Sequence, residues 1–287
     1  MEKKQYYKGI LYIILSAFCF AIMSLCIRLS GDLPSIQKSF FRNFVAAIFA
    51  AILLAKSRTT WLCRRENLGY MLLRAGFGTA GILCNYYAVD HLLLADASML
   101  NKLSPFFAVI FSVFWLRESI DIKRILLIAG AFLGSLLVIK PTGSNLNLFP
   151  AMIGMLGGMA AGAAYTMVRK LGLRGEKGER IVFFFSTFSC VVTLPFLLFQ
   201  FHPMSARQVG ILLLAGMAAA GGQFSITAAY CHAPAREISI YDYSQIIFAA
   251  LLGFFVFGQV PDLLSFAGYG VICAAAAGMF FLGREKR

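Results

Sequence analysis

The chain has 287 residues, of which 60% are hydrophobic and only 14% are charged. Soluble domains are roughly 45–50% apolar and about 25% charged, so this composition excludes an ordinary soluble protein. The net charge of +13 is typical of nucleic-acid-binding proteins, but here the basic residues lie in short clusters between long apolar runs. We therefore expect a helical protein that crosses the lipid bilayer several times and has no nucleic-acid partner.

Ten apolar runs follow one another along the chain, each of about 20 residues, which is enough to cross roughly 30 Å of hydrocarbon as an α-helix. Little sequence is left between them, so we expect no soluble domain. The predicted spans cover residues 9–29, 35–55, 68–89, 93–116, 122–139, 148–168, 181–201, 209–231, 238–257 and 263–282.

The distribution of basic residues among the loops predicts the orientation of these spans, because cytoplasmic loops collect Lys and Arg. With the N-terminus in the cytoplasm, 19 of the 26 basic residues fall on the cytoplasmic side and three on the other side. The remaining four lie within spans. We therefore predict a multi-pass protein of the cytoplasmic (inner) membrane with both termini in the cytoplasm.

The second half of the chain resembles the first at a shift of about 141 residues, which for example aligns His91 with His232. The predicted repeats are residues 1–141 and 142–287, with five spans in each. Because five is an odd number, the two repeats must have opposite orientations in the membrane. Inverted repeats with a polar site near the midplane are typical of secondary transporters.

The predicted helix over residues 95–116 carries Ser98, Asn101, Lys102 and Pro105 on one face. A lysine near the bilayer centre costs at least about 2.5 kcal/mol on insertion scales, so it faces a bundle interior or water. Pro105 also removes a backbone hydrogen bond within the helix. We therefore expect this helix to line a polar cavity inside a helical bundle.

The ninth span carries a similar polar face. The shift aligns Ser98 with Ser239, Asn101 with Asp242, and Lys102 with Tyr243. If the repeats bring these faces together, Lys102 and Asp242 flank one cavity and neutralise each other while it is empty. Asp242 also lies well inside a span, where a carboxylate can bind and release a proton or another cation. A fixed counter-ion to Lys102 is the alternative.

Other polar side chains within spans are candidates for contact with a substrate. They are Asn85, Tyr86 and Tyr87 in span three, Tyr165 in span six, Gln223 and Thr227 in span eight, and Tyr241, Tyr243 and Gln245 in span nine. The alternative for each is an interfacial aromatic or a packing contact between helices. The predicted substrate-binding set is Ser98, Asn101, Lys102, Ser239, Asp242, Tyr243, Tyr87, Tyr165 and Gln223.

Three further features are interpreted as structural. Lys38 and Arg42 lie in the outer part of span two, where a structural role is expected and an anion-attracting vestibule is the alternative. Gly154, Gly158 and Gly162 recur at intervals of four in span six and predict close helix packing. The seven cysteines are scattered singly, so we expect no disulfide, metal or cofactor.

The chain resembles the drug/metabolite transporter superfamily, EamA type, over nearly its full length. The similar segments are Arg42, the run YAVDHLLLADASMLNKLSPFFAVIFSVFWLRESI, the pair Lys140 and Pro141, and AAYTMVRKL. The resemblance implies ten helices in two inverted five-helix repeats and a central cavity lined mainly by spans one, three, four, six, eight and nine. Gln259 departs from the pattern, because glutamate is common there, and this puts a symmetric role for Glu118 in doubt.

The predicted fold class is therefore an all-α polytopic membrane protein with ten transmembrane helices. The predicted function is secondary active transport, by alternating access, of a small polar or charged metabolite that is amino-acid-like or an organic anion. The predicted partners are this substrate, the lipid bilayer and a proton or cation, with a monomer or homodimer as the assembly. One alternative is a flippase for a lipid-linked head group. A membrane enzyme is the other, but no HExxH, GxSxG or phosphate-binding glycine loop is present.

Overall fold

The protein is all-helical in the computed structural model, which describes residues 2–57, 60–116, 121–139, 148–232 and 241–284. A short 3₁₀ turn, Arg65–Asn67, precedes the third helix. The α-helices within these ranges are α1 (Glu2–Leu29), α2 (Ser35–Lys56), α3 (Leu68–His91), α4 (Leu94–Asn101), α5 (Ser104–Leu116), α6 (Ile122–Ile139), α7 (Leu148–Leu173), α8 (Gly178–Phe199), α9 (Ala206–His232), α10 (Ser244–Phe257) and α11 (Leu263–Arg284).

These helices correspond to the ten predicted spans, because α4 and α5 are two halves of the fourth span. Six segments of the described chain are long and apolar enough to cross a membrane, and one of them, Leu94–Trp115, joins α4 and α5. Shorter apolar stretches lie in α6, α10 and α11. The 24 residues of α3 are long enough to span, but they include Arg74 and Asn85, which lower its hydropathy.

The pattern of helix contacts reflects a two-fold relation between the repeats. Exchanging the repeats relates α1 to α7, α2 to α8, α3 to α9, the α4–α5 pair to α10, and α6 to α11. The two most extensive interfaces, α1 with α9 and α3 with α7, are exchanged with each other by this operation. The large interfaces of α2 with α8 and of α6 with α11 map onto themselves. The two repeats are therefore interlocked around a pseudo-two-fold axis.

Equivalent positions also make equivalent close contacts. At the interface of α1 with α9, the Ser16 hydroxyl donates a hydrogen bond of 3.0 Å to the carbonyl of Gly222. At the equivalent interface of α3 with α7, a Cβ placed on Gly157 would lie 3.3 Å from the carbonyl oxygen of Gly81. The same shift of about 141 residues relates Ser16 to Gly157 and Gly81 to Gly222. Small residues let the helix backbones approach at both places.

The distribution of polar residues is the reverse of that in a soluble protein. Large apolar side chains such as Leu11, Leu198, Phe199 and Phe255 are exposed on the outside of the bundle. Buried side chains include lysine, arginine, asparagine and glutamine. Lipid stabilises the apolar exterior, while the polar groups avoid hydrocarbon by facing inward. The chain is a multi-pass membrane protein whose buried polar side chains lie between its helices.

The glycine face of α7 contacts the junction between α4 and α5. A Cβ at Gly158 would lie 2.6 Å from the carbonyl oxygen of Leu100, and one at Gly162 would lie 2.6 Å from that of Ser104. Contacts this short with backbone atoms leave no room for a larger residue. The predicted packing role of this face is thus explained by the close approach of α7 to an interrupted helix.

Hydrogen bonds join loops of the two repeats at both ends of the bundle. The Asn67 amide, at the start of α3, donates to Glu176 Oε1 at 2.8 Å. Its equivalent in the other repeat, Gln208, donates to the Ser30 carbonyl at 3.0 Å. Because the repeats are inverted, these two bonds lie at opposite ends of the bundle.

Glu176 has the denser set of partners, since Arg180 and the backbone N–H of Arg64 also donate to its carboxylate. Burial by itself raises the pKa of Glu176, but the hydrogen bonds from Asn67, Arg180 and Arg64 outweigh it. The pKa therefore lies below its ordinary value of 4.5.

We expect Gly162→Ala to destabilise the protein by about 1–3 kcal/mol, because the added methyl group must displace the backbone of α5. The melting temperature of the purified protein measures this effect. Gly210→Ala is the matched control, since a Cβ at Gly210 would meet nothing within 4 Å. Equal melting temperatures for the two variants would contradict the close contact between α7 and α5.

We expect Glu176 to stabilise the fold in a pH-dependent way. Its folded pKa lies below the ordinary value of 4.5, so the stabilisation is complete above about pH 4.5 and is lost as the pH falls through the folded pKa. The difference in melting temperature between the wild type and Glu176→Gln should stay constant from pH 7 to about pH 5 and shrink below about pH 4.5. A difference that persists unchanged to pH 3 would argue against this role.

Candidate functional site

The fourth span is interrupted near its middle, at Lys102 and Leu103. The backbone N–H of Phe106 donates to the carbonyl of Leu103 and not to that of Lys102, and Pro105 has no N–H to donate. The carbonyl of Lys102 is therefore released from the helical pattern. A predicted continuous helix is thus two helices in the structure, and the proline supplies the physical reason.

The ninth span is interrupted at the equivalent place. Tyr241 and Asp242 are helical, Tyr243 lies in a turn, and α10 begins at Ser244. Each repeat therefore contributes one interrupted helix to the centre of the bundle. Interrupted helices in inverted repeats are where secondary transporters place their substrate and ion sites.

Two polar contacts join these interruptions. Lys102 Nζ lies 2.6 Å from Asp242 Oδ2, and the exposed fractions of the two side chains are only 3% and 1%. The Tyr243 hydroxyl donates a hydrogen bond of 2.8 Å to the released carbonyl of Lys102. The ion pair neutralises two charges that lipid could not solvate, and the tyrosine satisfies the exposed backbone. Asp242 Oδ1 has no hydrogen-bond partner among the described residues.

A cavity adjoins this contact and encloses about 600 Å³ of space not filled by atoms, part of which opens to solvent. Its polar lining residues are Arg42, Arg74, Asn85, Tyr86, Asn101, Lys102, Tyr165, Gln223 and Gln245, and its apolar ones include Phe20, Met23, Ile82 and Phe185. Both repeats contribute to this set.

Arg42 is oriented by two amides whose oxygen atoms face it. Its guanidinium donates to Asn43 Oδ1 at 2.7 Å and to Gln223 Oε1 at 3.5 Å. The amide nitrogen of Asn43 donates to Ser189, and that of Gln223 donates to Thr227. These outer bonds leave each oxygen free to accept from Arg42. Its charge is therefore positioned by neutral groups, and no carboxylate among the described residues pairs with it.

Arg74 lies against the ring of Phe185, with its guanidinium carbon 4.0 Å from the ring centroid. The guanidinium carbon of Arg42 lies 5.7 Å from the same centroid. Arg74 is buried and makes no hydrogen bond or ion pair to the described part of the chain. A Cβ on Gly78 would lie 2.1 Å from Arg74 Nη1 and 2.7 Å from Phe185 Cε2, so only glycine leaves space for this arrangement.

The predicted site residues fall into four groups. Asn101, Lys102, Tyr165 and Gln223 line the cavity. Asp242 and Tyr243 contact Lys102 directly, and Ser98 is buried one helical turn before it.

Tyr87 is not among the cavity-lining residues of the described chain. Its ring stacks on that of His91, with the centroids 4.2 Å apart. Its neighbour Tyr86 faces the cavity instead. Ser239 lies outside the described residues, as do Glu118, Lys140 and Pro141.

Arg74 is a charged cavity residue that sequence reasoning missed, and the aromatic residue beside it, Phe185, was missed as well. The available signal was a lone arginine inside an apolar run, the same signal that singled out Lys102. Lys38 and Arg42, which lie close together in the second span, have different partners and positions. Lys38 is paired with Asp90 at 2.7 Å, a structural role, whereas Arg42 lines the cavity.

Gln259 has a structural function at the position where a glutamate is common. Its side-chain oxygen accepts a hydrogen bond of 3.1 Å from the backbone N–H of Leu94, at the start of α4. A neutral amide therefore caps the N-terminus of the first half of the interrupted helix. Among the described residues, no group of three or more His, Cys, Asp and Glu side chains could hold a metal ion.

Comparison with known proteins agrees with this geometry. The family model described as the EamA-like transporter family matches residues 7–140 and 149–281. The chain is 31% identical over 281 residues to the pseudopaline exporter CntI of Pseudomonas aeruginosa (strain UCBPP-PA14), covering 97% of each chain. It is 25% identical to a riboflavin transporter of Vibrio cholerae, covering 94% of this chain and 92% of the relative.

A solved crystal structure has the same fold, with a TM-score of 0.71 and 14% sequence identity over 97% of this chain and 98% of the other. Because the family model matches both halves of the chain and the relative at 31% identity is aligned nearly end to end, the agreement covers sequence and architecture together. The chain belongs to the EamA-like transporter family.

Proposed function

We propose that the protein is a secondary active transporter that moves a small polar or charged metabolite across the cytoplasmic membrane by alternating access. One observation carries this proposal: the interrupted helices of the two repeats meet beside a central cavity, joined by the Lys102–Asp242 ion pair. A charged substrate in the cavity competes for this contact between the repeats. Substrate binding is thereby coupled to the movement of one repeat relative to the other.

The competition follows from the chemistry of the pair. A substrate carboxylate attracts Lys102, and a substrate ammonium group attracts Asp242, so either weakens the bond between the repeats. The halves of each interrupted helix can then move separately, since the backbone turns at Lys102 and Tyr243 form hinges. Asn101, Tyr165 and Gln223 supply further hydrogen-bonding groups to the substrate on the cavity wall.

Asp242 is the proposed site for a coupling proton or cation. Its Oδ1 has no hydrogen-bond partner among the described residues, so that atom can take up a proton without first losing another bond. Protonation removes the negative charge that holds Lys102, and the ion pair between the repeats weakens. Proton uptake and opening of the cavity are thereby linked through one carboxylate.

Location and direction complete the proposal. The bias of basic residues toward one set of loops supports the inner membrane with both termini in the cytoplasm. The pseudopaline exporter, at 31% identity, supports outward transport.

The test is to express the protein in a bacterial host and compare the small molecules in the medium and in the cells by untargeted mass spectrometry. We expect expression to raise the concentration of one or a few small polar metabolites in the medium and to lower it in the cells. Asp242→Asn, expressed at the same level in the membrane, should abolish the change. No difference between expressing and empty-vector cells, for any metabolite, would contradict the proposed outward transport.

We expect Lys102→Met and Asp242→Met each to destabilise the protein by about 3–5 kcal/mol, because each leaves one buried charge without its partner. The double variant should recover most of the lost stability, since no uncompensated charge remains. Melting temperatures measure the cycle, and the metabolite assay should show that the double variant is inactive. Additive destabilisation would mean that the two side chains are not paired in the membrane.

A further inference from the structure

We propose that Arg42 and Arg74 form a binding site for the two carboxylates of a dianionic organic substrate. This inference rests on the proposed transport function and deepens it by naming the chemical class of the substrate. The two residues are called the arginine pair below.

The arginine pair is buried without the partners that buried arginines need. Arg42 is 2% exposed and Arg74 is 2% exposed, and neither contacts a carboxylate among the described residues. The Nε atoms of both are buried with no hydrogen-bond partner. A buried charge is costly unless it is paired, so an uncompensated guanidinium at a cavity wall is a group kept for a ligand.

The surroundings hold the arginine pair in place without neutralising it. The missing side chain of Gly78 leaves the space that the Arg74 guanidinium occupies, and the ring of Phe185 packs against the same guanidinium. Asn43 and Gln223 do the same for Arg42 with neutral oxygen atoms. Aromatic and amide groups carry no net charge, so they position a cation and leave its charge available to an anion.

The charges around the cavity specify a dianion. Of the three described cations that line it, Lys102 is neutralised by Asp242 at 2.6 Å. Arg42 and Arg74 remain, and they bring two positive charges to the cavity, both beside the ring of Phe185. A substrate with two carboxylates compensates both, and planar guanidinium groups match carboxylates through paired hydrogen bonds.

The arginine pair belongs to one repeat only. At the repeat shift, Arg42 aligns with Phe183 and Arg74 aligns with Ala215, so the other repeat has no equivalent charges. The Lys102–Asp242 contact, in contrast, joins equivalent segments of both repeats. A dianion bound to the arginine pair is therefore held by one repeat, next to the contact that ties that repeat to the other.

The first test measures stability without any ligand. An arginine kept for a ligand destabilises the empty protein, so Arg74→Met should raise the melting temperature by roughly 2–4 °C. Lys38→Met is the matched control, because Lys38 is equally buried but paired with Asp90, and its loss should lower the melting temperature. An Arg74→Met protein that melts at or below the wild-type temperature would mean that Arg74 is structural, and would overturn the proposal.

The second test measures binding with defined probes. Glutarate should raise the wild-type melting temperature by roughly 2–4 °C, and its neutral diamide should not. The shift should disappear in Arg42→Gln and Arg74→Met and persist in Arg207→Gln, whose side chain is exposed. Gly78→Ala keeps both charges but displaces the Arg74 guanidinium, so it too should lose the shift.

Each other outcome of the second test overturns the proposal in a defined way. No shift with any dicarboxylate from malonate to adipate would exclude the dianion class. An equal shift with inorganic phosphate would show an unselective anion site, and an undiminished shift in Arg74→Met would place the dianion elsewhere. If glutarate binds through the arginine pair but no metabolite is exported, the binding site stands and the transport proposal fails. If export occurs and Arg74→Met leaves it unchanged, the transport proposal stands and the arginine pair is not the binding site.

Discussion

The structure depends on the buried ion pair of Lys102 with Asp242, at the point where the two repeats meet. Each charge lies at or beside the interruption of a helix and is almost completely buried, so neither is stable without the other. The interruption is itself possible only because Tyr243 satisfies the released carbonyl and because the glycines of α7 let another backbone approach. The ion pair and the close packing of the helices at this point therefore depend on each other.

Inverted symmetry explains why such a contact lies at the centre. Elements on the pseudo-two-fold axis, among them α2 with α8 and α4 with α10, pair with their own equivalents, and an interruption in one repeat then faces an interruption in the other. The side chains at the interruptions differ, with lysine in one repeat and tyrosine in the other. An exact copy would have placed two lysines together, and like charges at that distance would repel.

The arginine pair shows where the two repeats have diverged. The first repeat supplies both arginines to the cavity lining, and the second supplies Phe185 and Gln223, which position them. A symmetric framework thus carries an asymmetric site. Since the buried guanidinium groups lack carboxylate partners in the described chain, they oppose the stability of the empty protein, which is a recurrent feature of binding sites.

Some of this could be predicted from the sequence alone. The lengths of the apolar runs determine ten spans, because only a helix of about 20 residues satisfies its own backbone across the hydrocarbon. The repeat shift and the odd number of spans per repeat determine the inverted arrangement, and the spacing of Ser98, Asn101 and Lys102 determines a polar helix face. These properties are local or periodic, so they can be read without knowledge of distant contacts.

The tertiary structure alone decided which polar residues share the cavity. Tyr86 and not Tyr87 faces it, since neighbouring residues on a helix point about 100° apart and the rotation of α3 is set by its packing on α7. Lys38 and Arg42 lie one helical turn apart in the same span, yet of the carboxylates that the structure describes, one pairs with Lys38 and none with Arg42. Partners from distant helices determine whether a buried charge is neutralised or remains available, and those partners are brought together only by folding.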